Sequence, residues 1–254
     1  MKNLLSVSAM LACFSASIAA AKAQPLPSEL TDATRQRAIP VVIQLPVQTS
    51  CSKAAPCRVA ILGSGYGIAH NEYQFITTVL NQRGYLTIAI QHELPEDPPL
   101  SRSMPFSETR LENWQRGVDS VEFVRATLAA QLSHFNFNEL TLLGHSNGGD
   151  IAALYAQQYP QQVKQVVTFD SRRVPMPRSL GVAVLTLRAS DYPADEGVLP
   201  NTEETAQFPI CVSLIPDSKH NDMYDGGPEW LKTAMQNRLS HYLDGVSCDK
   251  LVLQ

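Results

Sequence analysis

Apolar residues occur along this chain either in short continuous runs or at helical spacing. Continuous runs predict buried strands at residues 58–62, 86–90, 140–144, 163–169, 182–187 and 211–214, with a further early strand near 39–43. Helical spacing predicts helices at residues 71–83, 110–132, 150–158 and 228–243. Strands that alternate with helices predict an α/β fold, in which a mostly parallel central sheet carries helices on both faces.

One predicted strand runs directly into a glycine-rich turn and then into a helix. The turn is Gly144-His145-Ser146-Asn147-Gly148. In a sharp strand–turn–helix connection of this type, the serine hydroxyl stands clear of the sheet edge, and the flanking glycines avoid collisions with neighbouring backbone. Ser146 is therefore the candidate nucleophile.

The first 23 residues resemble a targeting segment. Lys2 precedes an apolar run rich in serine and alanine, which ends in Ala21-Lys22-Ala23. This pattern predicts a secretory signal peptide at residues 1–23, cleaved after Ala23, and one domain at residues 24–254. The alternatives are an uncleaved membrane anchor and a lipid attachment at Cys13, which matches a lipidation site poorly.

Charge argues against several kinds of partner. The full chain has 20 basic and 24 acidic residues; because residues 1–23 include two lysines and no acid, the remainder has 18 basic residues and a formal charge of −6. This acidic balance disfavours nucleic acid and anionic membranes as partners. After residue 23 no apolar run is long enough to span a bilayer, so stable membrane insertion is not expected. The sequence does not predict an oligomeric state.

Four cysteines follow the predicted signal peptide, and an even number in an exported chain indicates disulfides. Cys51 and Cys57 flank a short loop that a bridge could close, which would leave Cys211 to pair with Cys248. We favour this arrangement among the three that four cysteines allow. No cysteine or histidine spacing typical of a zinc site occurs, so we expect neither a metal nor another cofactor.

A second glycine-rich turn, Gly63-Ser64-Gly65-Tyr66-Gly67, follows the predicted strand 58–62. A dinucleotide site would require a third glycine further on, but residues 69–71 do not supply one. The alternative is a backbone N–H directed at an oxyanion, which fits better.

Several of these motifs together resemble the α/β-hydrolase superfamily from about residue 39 onward. The turns around Tyr66 and Ser146, the Arg83-Gly84-Tyr85 segment and the spacing of Asp32, Arg35, Arg37 and Pro40 are similar to secreted bacterial esterases and lipase-like enzymes related to the platelet-activating-factor acetylhydrolase and dienelactone hydrolase groups. The resemblance implies a catalytic triad in the order Ser, acid, His and an oxyanion hole formed by the backbone N–H groups of Tyr66 and Asn147.

Of the six histidines, His220 has the position that the resemblance implies. It lies in a loop between the last predicted strand and the closing helix. His145 is expected to point away from the pocket of Ser146, and the other four lie in or beside helices or before the nucleophile. His220 is therefore the candidate base.

The triad acid has close competitors after the strand that ends near residue 187. The family places its acid a few residues after this strand, and that spacing selects Asp191. Val198-Leu199-Pro200 resembles the hydrophobic pair and proline that follow the acid in the family, and counting back from it selects Asp195 or Glu196. We rank Asp191 above Asp195 and expect the other to brace the loop through backbone hydrogen bonds. Two further acids, Asp170 and Asp222, are interpreted as turn or helix-start residues, with Asp170 the next to test. The pair at residues 172–173 is interpreted as a solvated face rather than a contact to a substrate carboxylate.

These residues predict an exported serine hydrolase that cleaves small carboxylic esters through an acyl-enzyme. Because the segments inserted between the predicted strands and helices are too short to form a large lid, short acyl chains should be preferred. The first alternative is hydrolysis of another acyl bond, such as an amide, thioester or lactone. The second is a catalytically inactive binding protein on the same fold.

Overall fold

The computed structural model describes residues 26–47 and 50–252. The predicted signal peptide and its cleavage position lie outside the described residues. Eight strands in the described part of the chain form one sheet: β1 (Glu29–Asp32), β2 (Arg37–Gln44), β3 (Cys57–Gly63), β4 (Tyr85–Ile90), β5 (Phe135–His145), β6 (Val163–Phe169), β7 (Ala183–Arg188) and β8 (Ile210–Leu214).

The strand order in the sheet is β1-β2-β4-β3-β5-β6-β7-β8. The six strands β4, β3, β5, β6, β7 and β8 are parallel to one another. At one side of the sheet β1 and β2 form an antiparallel hairpin, and β2 is also antiparallel to β4. The parallel strands are almost continuously apolar because helices cover both faces; all six residues of β4 are buried. The predicted α/β architecture, a mostly parallel central sheet with helices on both faces, is confirmed.

Seven α-helices lie among the described residues: α1 (Gln74–Gln82), α2 (Phe106–Thr109), α3 (Leu111–Gln131), α4 (Asn147–Gln158), α5 (Thr202–Gln207), α6 (Glu229–Leu243) and α7 (Cys248–Val252). Helices α3 and α4 bury residues such as Trp114 and Tyr155 against one face of the sheet. Helices α1 and α6 bury residues such as Leu80 and Met235 against the other face.

Two segments differ from the sequence expectation. Residues 29–44, where one early strand near 39–43 was expected, form the β1–β2 hairpin. Its turn is fixed by Asp32, whose carboxylate accepts hydrogen bonds from the backbone N–H groups of Thr34 and Arg35 at 3.0 and 3.2 Å. The one-turn helix α2 lies between the expected strand 86–90 and the expected helix 110–132, where no element was expected. Strand β1 and helix α2 have four residues each, too few to give a periodic pattern.

Both expected disulfides are present. Cys51 is bonded to Cys57 at the start of β3, and Cys211, near the start of β8, is bonded to Cys248 at the start of α7. The second bridge ties the last strand to the helix that follows α6. Across the described residues, no helix combines the length and the apolar character needed to cross a membrane.

The parallel strands bring three turns to one edge of the sheet. β3 pairs with β5, with Gly63 opposite Gly144, and β5 pairs with β6, with His145 opposite Phe169. Residues that directly follow these three strands therefore lie side by side, since neighbouring strands are about 4.8 Å apart. Polar residues at this edge are the candidates for a functional site.

Candidate active site

The turn after β5 has the strained backbone expected of a nucleophile elbow. Ser146 has φ 51° and ψ −118°, a conformation that side-chain-bearing residues rarely adopt, and α4 begins at the next residue. A Cβ atom on Gly148 would overlap the carbonyl oxygen of Gly63, and one on Gly144 would overlap the backbone of Gly148. The glycines thus let the start of α4 lie directly against β3 and β5.

His220 lies between Ser146 and a buried carboxylate. Its Nε2 is 2.9 Å from the Oγ of Ser146, and its Nδ1 is 2.6 Å from Oδ2 of Asp170. The imidazole is mostly buried and reaches the elbow from the loop after β8. When Nδ1 donates its proton to the carboxylate, Nε2 is left unprotonated and can accept the proton of the serine hydroxyl.

Asp170 directly follows β6 and is fully buried. Its backbone has φ 50°, and its N–H donates to the carbonyl of Leu187 at 2.8 Å, so the residue turns away from the strand while it is still bonded to β7. The guanidinium of Arg188 is 2.6 Å from Oδ1, which also accepts the N–H of Ala189 at 3.1 Å. A positive charge and a hydrogen-bond donor hold one carboxylate oxygen, which leaves the other for His220.

The structure places Asp170, rather than Asp191 or Asp195, beside the imidazole of His220. Asp191 does not contact the imidazole; both of its carboxylate oxygens accept the backbone N–H of His220 at 3.0 Å. It therefore braces the histidine loop, which is the role expected of the competitor that does not contact the ring. The carboxylate of Asp195 forms an ion pair with Arg173.

The strand order explains why Asp170 lies beside the imidazole. β6 is the direct neighbour of the elbow strand β5, whereas β7 lies one strand farther away. An acid at the end of β6 can therefore reach the histidine without a long loop. The sequence signal was Asp170 directly after an apolar strand, and the sequence interpretation assigned this residue to a turn.

The two expected oxyanion residues lie where β3 and β5 end. Tyr66 is three residues beyond β3, and Asn147 is the first residue of α4. Within the described residues, neither backbone N–H donates a hydrogen bond to another protein group. The N-terminus of α4 also places a positive end of the helix dipole beside Ser146.

The side chain of Asn147 belongs to a buried polar cluster that sequence reasoning did not find. Its Nδ2 donates to Oε1 of Glu93 at 2.6 Å and to Oδ1 of Asn113 at 2.8 Å, and its Oδ1 accepts the indole N–H of Trp114 at 3.0 Å. Burial raises the pKa of Glu93. The cluster fixes the first residue of α4 between the loop after β4 and helix α3.

His145 points away from the pocket, as the sequence suggested, and has two polar partners. Its Nδ1 is 2.9 Å from the hydroxyl of Tyr73, and its Nε2 is 3.0 Å from the carbonyl oxygen of His220. The hydroxyl of Tyr73 also accepts the N–H of Gly65 at 3.0 Å. Burial, followed by the nearby His220, lowers the pKa of His145 to about 3.

Arg172 and Arg173 do not form the solvated face that we expected. Arg173 pairs with Asp195 and lies over the ring of Phe106, 4.4 Å from its centroid. The Nε of Arg172 is 3.8 Å from Asp170, and its guanidinium lies 5.3 Å from the ring centroid of Tyr192. Both side chains are only about one-fifth exposed, so they pack in the region around Asp170 and are not a solvated surface.

Comparison with known proteins decides the family. A family described as the alpha/beta hydrolase fold matches residues 61–205, which is more than half of the chain. The chain belongs to the alpha/beta hydrolase family. The matched part of this α/β hydrolase contains the elbow and Asp170, while His220 lies beyond it. The superfamily resemblance seen in the sequence is confirmed, and the narrower resemblance to the acetylhydrolase and dienelactone hydrolase groups stays a prediction.

Solved structures share the fold at low sequence identity. A ferulic acid esterase from Streptomyces cinnamoneus superposes with a TM-score of 0.61 at 18% identity, with 87% of each chain covered. A dienelactone hydrolase from Anabaena variabilis ATCC 29413 gives a TM-score of 0.54 at 16% identity, over 86% of this chain and 98% of the other. At these identities the likeness shows the fold alone.

One relative was found by sequence. A Drosophila melanogaster protein whose name describes it as a serine hydrolase is 29% identical over 93 residues, or 36% of this chain. The matched stretch spans 27% of that relative's length.

Proposed function

We propose that this α/β hydrolase is a serine hydrolase that cleaves carboxylic esters through an acyl-enzyme, with Ser146 as nucleophile, His220 as base and Asp170 as acid. The observation that carries the proposal is the continuous line from Ser146 through His220 to a buried carboxylate, with contacts of 2.9 and 2.6 Å. The names of the similar proteins, a serine hydrolase and esterases, agree with it.

In the first step, the hydroxyl of Ser146 attacks the ester carbonyl carbon as Nε2 of His220 removes its proton. The resulting imidazolium is stabilised by Asp170, whose carboxylate is fixed by Arg188. The imidazolium then gives its proton to the departing alcohol, and the acyl group stays on Ser146. In the second step, His220 activates a water molecule that releases the acid and restores the serine.

The negative oxygen of each tetrahedral intermediate needs fixed donors. We assign this role to the backbone N–H groups of Tyr66 and Asn147. The side-chain cluster of Asn147 supports its half of this assignment, because it holds the start of α4 in place. Loss of one such donor typically costs about 2.7–4 kcal/mol in the activation barrier.

The first test is labelling by a fluorophosphonate probe, which reacts with activated serines. The wild-type protein should be labelled, and Ser146→Ala should lose both labelling and esterase activity while it keeps its fold. A folded wild-type protein that is neither labelled nor active on any ester would contradict the proposal and favour the binding-protein alternative.

Acyl-chain length is the second part of the proposal. The segments that border the elbow, at residues 93–105 and 189–201, are short and have no room for a large lid domain. Short p-nitrophenyl esters should therefore be better substrates than long ones. A higher kcat/KM on long-chain esters would contradict this preference, and faster turnover of matched amides, thioesters or lactones would select the alternative acyl bonds.

Export is the third part. The two disulfides agree with an oxidising compartment. N-terminal sequencing of the protein recovered from its host should begin at Gln24. A mature protein that retains residues 1–23 would contradict the proposed cleavage.

A further inference from the structure

We infer that Tyr73 and His145 form a positioning pair. Their hydrogen bonds fix the oxyanion loop, residues 63–67 with Tyr66, and the backbone of His220 in position relative to Ser146. The inference rests on the proposed function and adds two residues that do not touch the reacting atoms. Both side chains are about 1% exposed. Together they connect Gly65 in the oxyanion loop to the backbone of His220.

The hydrogen bonds of the pair run in one direction. The hydroxyl of Tyr73 accepts the N–H of Gly65 at 3.0 Å, so its own proton is free to be donated to Nδ1 of His145 at 2.9 Å. Because Nδ1 then acts as an acceptor, the neutral imidazole carries its proton on Nε2. That proton is donated to the carbonyl oxygen of His220 at 3.0 Å.

The two ends of this chain are functional positions. Gly65 directly precedes Tyr66, whose N–H is a proposed oxyanion donor, and His220 is the proposed base. His145 directly precedes Ser146 in the elbow. A shift of the His145 or Tyr73 side chain therefore moves the N–H of Tyr66 or the imidazole of His220 relative to Ser146. Small displacements of reacting groups lower the rate strongly.

Packing makes the arrangement specific. A Cβ atom on Gly65 would lie 2.7 Å from Nδ1 of His145, so this close approach of the oxyanion loop requires glycine. The ring centroids of His145 and His220 are 5.0 Å apart. A charged His145 would repel the imidazolium formed during the reaction, and burial keeps it neutral by lowering its pKa.

The test compares two buried tyrosines. Tyr73→Phe removes one hydroxyl from the pair, while Tyr155→Phe removes a fully buried hydroxyl that bonds Glu122 and Gln162 away from the site. Active sites are first counted by the burst of p-nitrophenol, so that misfolded protein does not enter the rates. Per active site, Tyr73→Phe should lower kcat about tenfold or more with little change in KM, and Tyr155→Phe should leave kcat within twofold.

Binding of a phenylboronate separates positioning from general destabilisation, because its tetrahedral adduct with serine uses the oxyanion donors. Its affinity for Tyr73→Phe should fall by about the same factor as kcat/KM. Unchanged kcat and boronate affinity in Tyr73→Phe, or equal losses in Tyr155→Phe, would overturn the inference while leaving the serine hydrolase itself intact.

A measurement on the wild-type protein covers the case in which Tyr73→Phe does not fold. Nitrogen chemical shifts of ¹⁵N-histidine distinguish the two neutral tautomers. His145 should show a protonated Nε2 and an unprotonated Nδ1. The opposite tautomer would break the chain of donors and overturn the inference.

Discussion

The two ends of the parallel strands have opposite characters. At the carboxyl ends lie buried polar groups and strained backbone, including Ser146 and Asp170, both with positive φ. At or near the amino ends of β3 and β8 lie Cys57 and Cys211, each covalently tied to a neighbouring segment. One end collects groups that are costly to bury, and the other end is cross-linked.

This difference shows how a fold can carry a destabilised site. Buried charges and strained residues each cost free energy, so they persist only where the surrounding structure over-determines them. Apolar layers on both faces of the sheet and the disulfides supply that support. Changes at the carboxyl end should therefore affect catalysis more than stability, and changes at the amino end should do the reverse.

The largest effect is expected for Asp170→Asn. The amide cannot stabilise the imidazolium and favours the wrong tautomer of His220, so kcat should fall by up to about 10⁴-fold. Steady-state kinetics on a short p-nitrophenyl ester, per titrated active site, would measure this loss.

Asp191→Asn and Asp195→Asn are the matched controls for that variant. Asn at 191 can still accept the N–H of His220, and the carboxylate of Asp195 pairs with Arg173 rather than with His220. Both variants should therefore keep kcat within about tenfold of wild type, far short of the loss expected for Asp170→Asn. A loss near 10⁴-fold in either one, with near-normal activity in Asp170→Asn, would return the acid to the loop after β7.

The amino end should respond in stability alone. Removal of the Cys211–Cys248 bridge, which joins residues 37 positions apart, should lower the free energy of unfolding by about 4 kcal/mol in the chain-entropy model. The Cys51–Cys57 bridge closes a separation of only six residues, and its removal should cost about 2 kcal/mol. Urea unfolding of the two double alanine variants would measure both values.

In both disulfide variants, kcat at a temperature well below unfolding should match that of the wild type. A large loss of kcat in folded protein would show that the cross-links also shape the site, and the contrast between the two ends of the sheet would fail.

Asp150 offers a smaller, pH-dependent effect. Its Oδ1 accepts the N–H groups of Arg173 and Val174 at 3.0 and 3.1 Å, which ties α4 to the loop after Asp170. Burial raises its pKa to about 6 from 3.8. Between pH 3.8 and about pH 6 the Asp150 carboxyl is protonated in the folded protein and ionised in the unfolded chain. The contribution of Asp150 to the free energy of unfolding therefore falls as pH rises, by about 3 kcal/mol in total.

Asp150→Asn keeps the Oδ1 acceptor and removes the ionisation. The variant should therefore gain stability relative to wild type as pH rises from 4 to 7, as measured by urea midpoints at intervals of one pH unit. Parallel curves for the two proteins would show that Asp150 titrates normally in the folded state.

The smallest effect is the absence of a titration. Because burial lowers the pKa of His145 to about 3, its ring proton resonances should not move between pH 5 and 9. A titration midpoint inside that range would mean that water reaches the ring of His145 and that the carboxyl ends of the parallel strands are loosely packed around it.

The sequence predicted the fold, and it singled out Ser146 and His220 as site candidates for local reasons. Ser146 lies in a turn whose glycines are required by close backbone approach, and His220 follows the last strand. The sequence ranked Asp191 above Asp170, whereas in the structure Asp170 contacts the imidazole of His220, because β6 rather than β7 lies beside β5. Chain order does not give that neighbour directly.

The supporting contacts were missed for a related reason. Tyr73 meets His145 across 72 positions, and Asn147 meets Glu93 across 54. Neither pair has a local periodicity or motif, since each exists only after separate elements pack together. Buried polar partners of this kind become visible when the donors and acceptors of the folded chain are counted.

The position of Asp170 has a further consequence for the evolution of substrate range. With Asp170 after β6 as the proposed acid, the segment from Asp191 to Asp195 is not needed for the chemistry. Asp191 bonds the backbone of His220 at one end, Asp195 pairs with Arg173 at the other, and Tyr192 between them is 62% exposed. Inserted residues at this tip would enlarge one wall beside the elbow and leave the three reacting side chains where they are. Loop grafting or random insertion between residues 192 and 194 is therefore a way to diversify specificity without rebuilding the chemistry.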